Sequence, residues 1–108
     1  MKLMTKKLLD EIPELYATEE IKGFEKICYV RFFHPGINCT WYSCEFSKEE
    51  QIFYGYVCGD ENEWGYFSLA ELEQNNVERD LYFTKKPLSE ALKDDGNSVW
   101  PYGYKEEE

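Results

Sequence analysis

The first apolar residues of the chain recur at the spacing of an α-helix. Leu8, Leu9 and Ile12 fall on one side of a helix that begins after Thr5 and stops at Pro13. Threonine is a common N-terminal cap, and proline cannot continue a helix. The pattern therefore predicts a short N-terminal helix whose apolar side packs on a core.

From residue 26 onward the pattern changes to short runs of β-branched and aromatic residues that are separated by turns. The predicted strands are residues 26–33, 40–46, 51–58 and 64–67. The first of them is apolar on both alternate faces, which is typical of a strand that is covered on both sides. The later links are so short that only antiparallel hairpins can form. The result is an antiparallel meander.

Two further helices are indicated after the strands. Ser68 and Glu71 form the S-x-x-E pattern of a capping box, and Pro87 is suited to start a last helix over residues 88–93. Residues 79–83 are a candidate fifth strand. The sequence thus predicts an α+β fold: an antiparallel meander sheet of four or five strands, with the N-terminal helix and one or two short helices packed on it. Residues 1–104 are predicted to form a single domain, and residues 105–108 a disordered acidic tail.

Composition narrows the classes of partner. The formal net charge is −10, with 22 acidic residues against 12 Lys and Arg. Direct binding to nucleic acid or to an anionic membrane needs basic residues, so neither is expected. A basic protein surface, a cation or solubility alone suits this charge better. The N-terminus lacks the apolar run of a signal peptide, and we expect a cytoplasmic protein.

Acidic and aromatic residues concentrate in the same part of the chain, since ten acidic and two basic residues lie between Glu45 and Asp80. If a four-residue link joins the second and third strands, the residue numbers of directly opposite residues add up to 97. This register places Trp41 opposite Tyr56 on one face. That face is either a partner-binding surface or is covered by a helix. The residues predicted to bind a partner are Trp41, Glu45, Tyr54, Tyr56, Glu61 and Glu63.

The cysteines are only weak indications of a metal site. No C-x-x-C pair occurs, although His34, Cys39 and Cys44 are close enough in sequence for a metal site to be conceivable. Small buried side chains are the favoured interpretation, so we predict no metal and no cofactor. The same register places Cys39 opposite Cys58, as free thiols that mild oxidation would crosslink.

The triplet Glu78, Arg79 and Asp80 combines two carboxylates with a guanidinium. Such a group can perform acid–base chemistry or hold a cation, but more often it anchors a strand through ion pairs, which we favour here. The chain has one histidine, and it contains neither a P-loop nor a dinucleotide-binding motif. No catalytic residue is therefore assigned.

Several blocks of the sequence resemble a family catalogued as domain of unknown function 2958. The most specific are Gly-Tyr-Phe-Ser-Leu at residues 65–69 and Glu-Arg-Asp at residues 78–80; the others are residues 15–20, 40–42, 53–59, 70–72, 81–83 and 86–88. The resemblance implies a small cytoplasmic protein of bacterial plasmids, phages or conjugative elements, with no assigned activity. The cysteines and His34 lie outside the family pattern.

These observations leave several functional hypotheses. The leading one is a non-catalytic binding protein of a mobile element that contacts a basic protein surface, one version being inhibition of a host defence nuclease by imitation of nucleic-acid charge. The runner-up is a small metal-dependent enzyme that uses carboxylates near Glu78 and Asp80. A structural accessory subunit is a third, and the oligomeric state stays open.

Overall fold

The computed structural model describes residues 2–96, which form the predicted α+β fold around a five-stranded antiparallel sheet. The helices are α1 (Lys6–Glu11), α2 (Leu69–Gln74) and α3 (Leu88–Asp94), with a 3-10 turn at Gly23–Glu25. The strands are β1 (Ile27–Cys28), β2 (Val30–Phe33), β3 (Thr40–Ser47), β4 (Ile52–Cys58), β5 (Asn62–Ser68), β6 (Glu78–Arg79) and β7 (Lys86–Pro87). The end of the predicted domain, residues 97–104, and the predicted acidic tail, residues 105–108, lie outside the described residues.

Local capping patterns fix where the first two helices begin. The hydroxyl of Thr5 accepts the backbone N–H of Leu8 at 3.2 Å. The hydroxyl of Ser68 accepts the N–H of Glu71 at 3.0 Å, and the Glu71 carboxylate accepts the N–H of Ser68 at 3.3 Å. Both caps confirm the sequence prediction, because each depends only on residues three positions apart.

The strand order is β5-β4-β3-β2-β6, so a four-stranded meander carries β6 at its far edge. The predicted first strand is divided at Tyr29: β2 stays in the main sheet, whereas β1 pairs with β7 in a separate two-stranded sheet. The fifth strand is shorter and earlier than residues 79–83. It ends at Arg79 because the carboxylate of Asp80 accepts the N–H of Tyr82 at 3.0 Å and turns the chain.

Apolar side chains cover both faces of the main sheet. On one face, phenylalanines of β2, β3, β4 and β5 pack against α1 and α2, with Leu72 of α2 among them. On the other face, Tyr42 and Tyr56 pack against Leu88 and Leu92 of α3. The first face is called the α1/α2 face below, and the second the α3 face.

The predicted register between β3 and β4 is wrong. Gln51 adopts a left-handed backbone conformation (φ 61°) and its N–H donates to the carbonyl of Ser47 at 2.7 Å, so the turn lies one residue later than predicted. A β-bulge between Ser43 and Glu45 then shifts the pairing again. As a result, Trp41 lies opposite Val57 and Glu45 lies opposite Tyr54.

This register separates residues that were predicted to share a face. Trp41 packs with the α1/α2 face, whereas Tyr54 and Tyr56 belong to the α3 face. The predicted pairing of Cys39 with Cys58 is also wrong, because Thr40 lies opposite Cys58. All four cysteines are free.

Candidate functional site

A cleft of about 470 Å³ opens on the α3 face of the sheet, beside the edge strand β5. Its floor consists of side chains from β4 and β5. Its opposite wall is the irregular segment between α1 and β1. We call it the aromatic cleft, and its main lining side chains are Tyr16, Ile21, Lys22, Tyr54, Trp64 and Tyr66.

The floor is a continuous layer of rings. Antiparallel pairing places Tyr54 opposite Tyr66 and Tyr56 opposite Trp64, so all four rings lie on one side of the sheet. The Tyr54 and Trp64 rings stack with centroids 5.5 Å apart, and Tyr54 lies 5.0 Å from Tyr66. Phe24 of the 3-10 turn packs on Trp64 at 5.7 Å. Each ring therefore limits the rotation of its neighbours.

The wall of the cleft is held by the buried carboxylate of Glu45. This carboxylate accepts the N–H of Tyr16 at 2.8 Å, the N–H of Thr18 at 3.2 Å and also the Thr18 hydroxyl. The ammonium of Lys26 lies 3.9 Å from it and donates to the Thr18 carbonyl and, at 2.9 Å, to the Thr18 hydroxyl. Buried charges need such partners, so this segment is tied firmly to β3.

One consequence is the unusual backbone of Tyr16, whose φ of 69° is rare for a residue with a large side chain. The hydrogen bond to Glu45 supports this conformation, and the Tyr16 side chain is left 60% exposed at the rim. Tyr66, which is 55% exposed, donates its hydroxyl to the Tyr16 hydroxyl at 3.5 Å. That hydrogen bond is the main cause that raises the pKa of Tyr66 to about 12. The Tyr66 hydroxyl at the rim therefore stays protonated at neutral pH.

Several exposed acidic residues lie away from the cleft. The helix α2 exposes Glu71 and Glu73 on the α1/α2 face, and Glu63 lies opposite Val57, which packs with that face. The cleft itself is lined by as many ammonium groups as carboxylates: Glu19, Lys22, Lys26 and Glu45. Part of the acidic surface therefore lies on the face opposite the aromatic cleft, although the two were expected to coincide.

The six residues predicted to bind a partner are accordingly dispersed. Glu45 is 3% exposed and Tyr56 is 7% exposed. Tyr54 is half-buried in the cleft floor, while Glu61 and Glu63 are exposed beside the β4–β5 turn. Trp41 lines a separate pocket of about 270 Å³ with His34 and Leu72. The contact of these residues with a partner stays a prediction.

The structure gives each member of the Glu78, Arg79 and Asp80 triplet a separate position. Arg79 donates to the carbonyls of Lys2 and Leu3, at 2.8 Å each, and so fastens the N-terminal segment. Asp80 accepts from the Arg31 guanidinium at 3.2 Å, and Glu78 is exposed.

Arg31 is also the centre of a larger network that the sequence did not indicate. Its Nε donates to Asp95 at 2.8 Å, and the Tyr42 hydroxyl donates to the same carboxylate. Burial lowers the pKa of Arg31, but the hydrogen bond and charge of Asp95 outweigh it, so the pKa is raised. Asp95 is 64 residues away from Arg31, and no local pattern relates them.

Metal ligation and thiol chemistry receive no geometric support. Among residues 2–96 there is no group of three or more His, Cys, Asp or Glu side chains that could hold a metal ion. The Nδ1 of His34 accepts the N–H of Gly36 at 2.9 Å. Burial raises the pKa of the Cys44 thiol to about 12, and that of Cys58 likewise to about 12. These thiols stay protonated at neutral pH and are poor nucleophiles.

Fold and cleft together define a small α+β protein with an aromatic surface cleft. The chain belongs to the family described as Protein of unknown function (DUF2958), whose model matches residues 3–97. No curated protein and no solved structure matches this chain. Within the described residues, every helix is too short or too polar to cross a lipid bilayer.

Proposed function

We propose that this protein is a non-catalytic binding protein and that the aromatic cleft is its contact with a partner protein. The observation that carries this proposal is the exposure of two tyrosines on a fixed backbone: Tyr66 is held in β5 by its pairing with β4, and the segment of Tyr16 is held by the buried Glu45 and Lys26. Tyrosine and tryptophan are enriched at the centres of protein interfaces, because their rings bury a large area at a small cost in conformational entropy.

The partner we propose has a basic surface. With a net charge of −10 the chain attracts basic proteins over several ångströms, although the cleft lining itself is balanced. Charge would thus steer the encounter, whereas the rings would supply the specific contacts. From the family resemblance we further propose that the protein acts in the bacterial cytoplasm on behalf of a plasmid, phage or conjugative element.

Capture from a lysate of the bacterium that carries the gene tests the cleft. We expect immobilised Tyr66→Ala to retain the partner about tenfold more weakly than the wild-type chain does, as for a central interface tyrosine. Tyr82→Ala is the matched control, since Tyr82 is 93% exposed at the opposite edge of the sheet. Equal retention by both variants would contradict the proposal.

A narrower version is inhibition of a host defence nuclease through imitation of nucleic-acid charge. The exposed carboxylates of Glu71, Glu73 and Glu78 on and after α2 are the surface that suits it. Here retention must fall steeply as salt is raised, because screening shortens the range of charge attraction. A retained partner that is not basic, or that withstands high salt, would contradict this version while leaving the cleft proposal intact.

The alternative, a metal-dependent enzyme that uses Glu78 and Asp80, fits the described residues less well because Asp80 already pairs with Arg31. Thermal unfolding with Mg²⁺, Mn²⁺ or Zn²⁺ distinguishes the two. A metal-dependent rise in Tm that Asp80→Ala abolishes would favour the enzyme.

A further inference from the structure

The strand β5 is an open edge of the main sheet. It spans seven residues, from Asn62 to Ser68. In the part of the chain that the structure describes, it pairs with β4 alone. An edge of this length presents unpaired peptide groups to which another extended chain can bind.

The hydrogen bonds at the two ends of the β4–β5 ladder show which peptide groups are unpaired. Leu69 donates to the carbonyl of Gln51 at 3.0 Å, and Gly59 donates to the carbonyl of Glu61 at 3.2 Å. Bonded and non-bonded pairs alternate in an antiparallel ladder, so the odd-numbered residues of β5 bond to β4. The even-numbered residues Asn62, Trp64 and Tyr66 therefore direct their N–H and C=O groups outward.

Ser68 supports this assignment independently. Its N–H would also point away from β4, and it is indeed free to donate to the carboxylate of Glu71 at 3.3 Å. The capping box of α2 thus closes one end of the edge, and the open peptide groups are those of Asn62, Trp64 and Tyr66.

The open edge and the aromatic cleft share two residues. Trp64 and Tyr66 line the cleft with their side chains and present their peptide groups along the edge. A strand added to β5 would place alternate side chains beside these rings. Guanidinium and ammonium groups bind to the faces of tryptophan and tyrosine, so basic side chains suit those positions.

We propose that the partner contributes an extended basic segment that adds to β5 as a new edge strand, with alternate Arg or Lys side chains against Trp64 and Tyr66. This inference rests on the proposed function and adds how the partner is held. Charge selects this occupant over a second copy of the chain. Asp60, Glu61 and Glu63 are exposed beside or on β5, and two chains of net charge −10 repel each other.

Substitution at Asn62 separates strand addition from the ring contacts. Asn62→Pro removes an outward N–H at the first residue of an edge strand, where proline is tolerated, and Asn62 does not line the cleft. Asn62→Ala is the matched control, because it changes the same side chain but keeps the N–H. We expect Asn62→Pro to weaken capture of the partner about fivefold and Asn62→Ala less than about twofold. Both variants should unfold at the same temperature.

Two outcomes of this comparison distinguish the proposals. If Tyr66→Ala loses the partner while Asn62→Pro retains it as well as Asn62→Ala does, strand addition is wrong and the cleft proposal stands. If all of these variants retain the partner equally, both proposals are wrong.

A second measurement uses the isolated full chain and a defined probe. An eight-residue peptide of alternating Arg and Val should slow amide hydrogen exchange at Asn62, Trp64 and Tyr66, while a Glu and Val peptide of the same length should not. Protection of these amides by the first peptide alone supports the inference. Absence of protection at millimolar peptide would overturn it, as would protection that rises with protein concentration when no peptide is present, since that indicates pairing between copies.

Discussion

The ammonium of Lys26 lies 3.9 Å from the carboxylate of Glu45, and both side chains are almost wholly removed from solvent, at 10% and 4% exposure. Lys26 immediately precedes β1, whereas Glu45 follows the bulge of β3. Between them they bind Thr18, so charged groups fasten the backbone of the cleft wall to the sheet at this point, in addition to the apolar packing of Phe24 on Trp64. The shape of the aromatic cleft depends on this pair.

Glu45→Gln should therefore be strongly destabilising. The amide still accepts one hydrogen bond, but the Lys26 ammonium loses its charged partner in a buried site, which costs about 3 kcal/mol of unfolding free energy. Urea unfolding measures this loss. Amide exchange should quicken at Tyr16 and Thr18 before the rest of the chain.

The double variant Glu45→Gln, Lys26→Met provides the control. It should be less destabilised than the two single changes combined, because no uncompensated charge remains. Additive losses would show that the two groups do not interact energetically.

The facing glycines Gly55 and Gly65 should respond oppositely to alanine. A Cβ on Gly55 would lie 1.9 Å from the Tyr42 carbonyl oxygen, whereas a Cβ on Gly65 would meet no atom within 4 Å. Gly55→Ala must displace backbone and should cost about 3 kcal/mol or prevent folding. Gly65→Ala should change stability by less than about 0.5 kcal/mol. Thermal unfolding compares them, and similar losses for both would disprove the close approach at Gly55.

The carboxylates of Asp80 and Glu78, two positions apart, should contribute unequally to the stability of the fold. Asp80→Asn keeps an acceptor for the N–H of Tyr82 but removes the charge that pairs with Arg31. It should lower the unfolding free energy by about 1 kcal/mol. The exposed Glu78 should tolerate Glu78→Gln within about 0.5 kcal/mol. Equal effects in urea unfolding would mean that the Arg31 pair contributes nothing measurable.

Buried thiols should make the fold sensitive to alkali. Burial raises the pKa of Cys44 from 9.0 to about 12, so the folded chain keeps a proton that the unfolded chain releases. The contribution of Cys44 to the free energy of unfolding is complete below pH 9. As the pH rises toward 12, this contribution falls by up to about 1.4 kcal/mol per pH unit. Between about pH 8 and about pH 10.5, the urea concentration at the midpoint of unfolding should thus fall further for the wild-type chain than for Cys44→Ala. An equal fall in the urea midpoints of the two chains would contradict the raised pKa of Cys44.

Much of the fold was predictable because its determinants are local. Thr5 and Ser68 cap helices within one turn of the chain, and the short links allow only hairpins. The register was not predictable, since it depends on Gln51 adopting a positive φ and on an extra residue at Cys44. Neither Gln51 nor Cys44 is a glycine or an asparagine, the residue types that would have indicated a positive φ or a bulge.

The candidate site was found only in part. Tyr54, which was predicted to bind a partner, lines the aromatic cleft, but its neighbours Trp64 and Tyr66 were missed because the pairing of β4 with β5 was not worked out. Glu45 was noticed for its charge, yet a count of charges does not distinguish a buried carboxylate from an exposed one. Its partners Tyr16 and Thr18 are 29 and 27 residues away, and only the tertiary structure brings them to it.

The bulge at Cys44 has a consequence for how this strand tolerates changes in length. Tyr42 and Glu45 are three positions apart and nevertheless serve the same side of the sheet, which strict alternation forbids. If the strand kept all its residues but lost the bulge, regular alternation would reverse the orientation of everything from Glu45 to Ser47, taking the carboxylate away from Lys26 and Phe46 out of the hydrophobic core. A relative without this insertion would need its glutamate one position closer to the tyrosine, so equivalent residues in the two proteins would occupy different columns of an ungapped alignment.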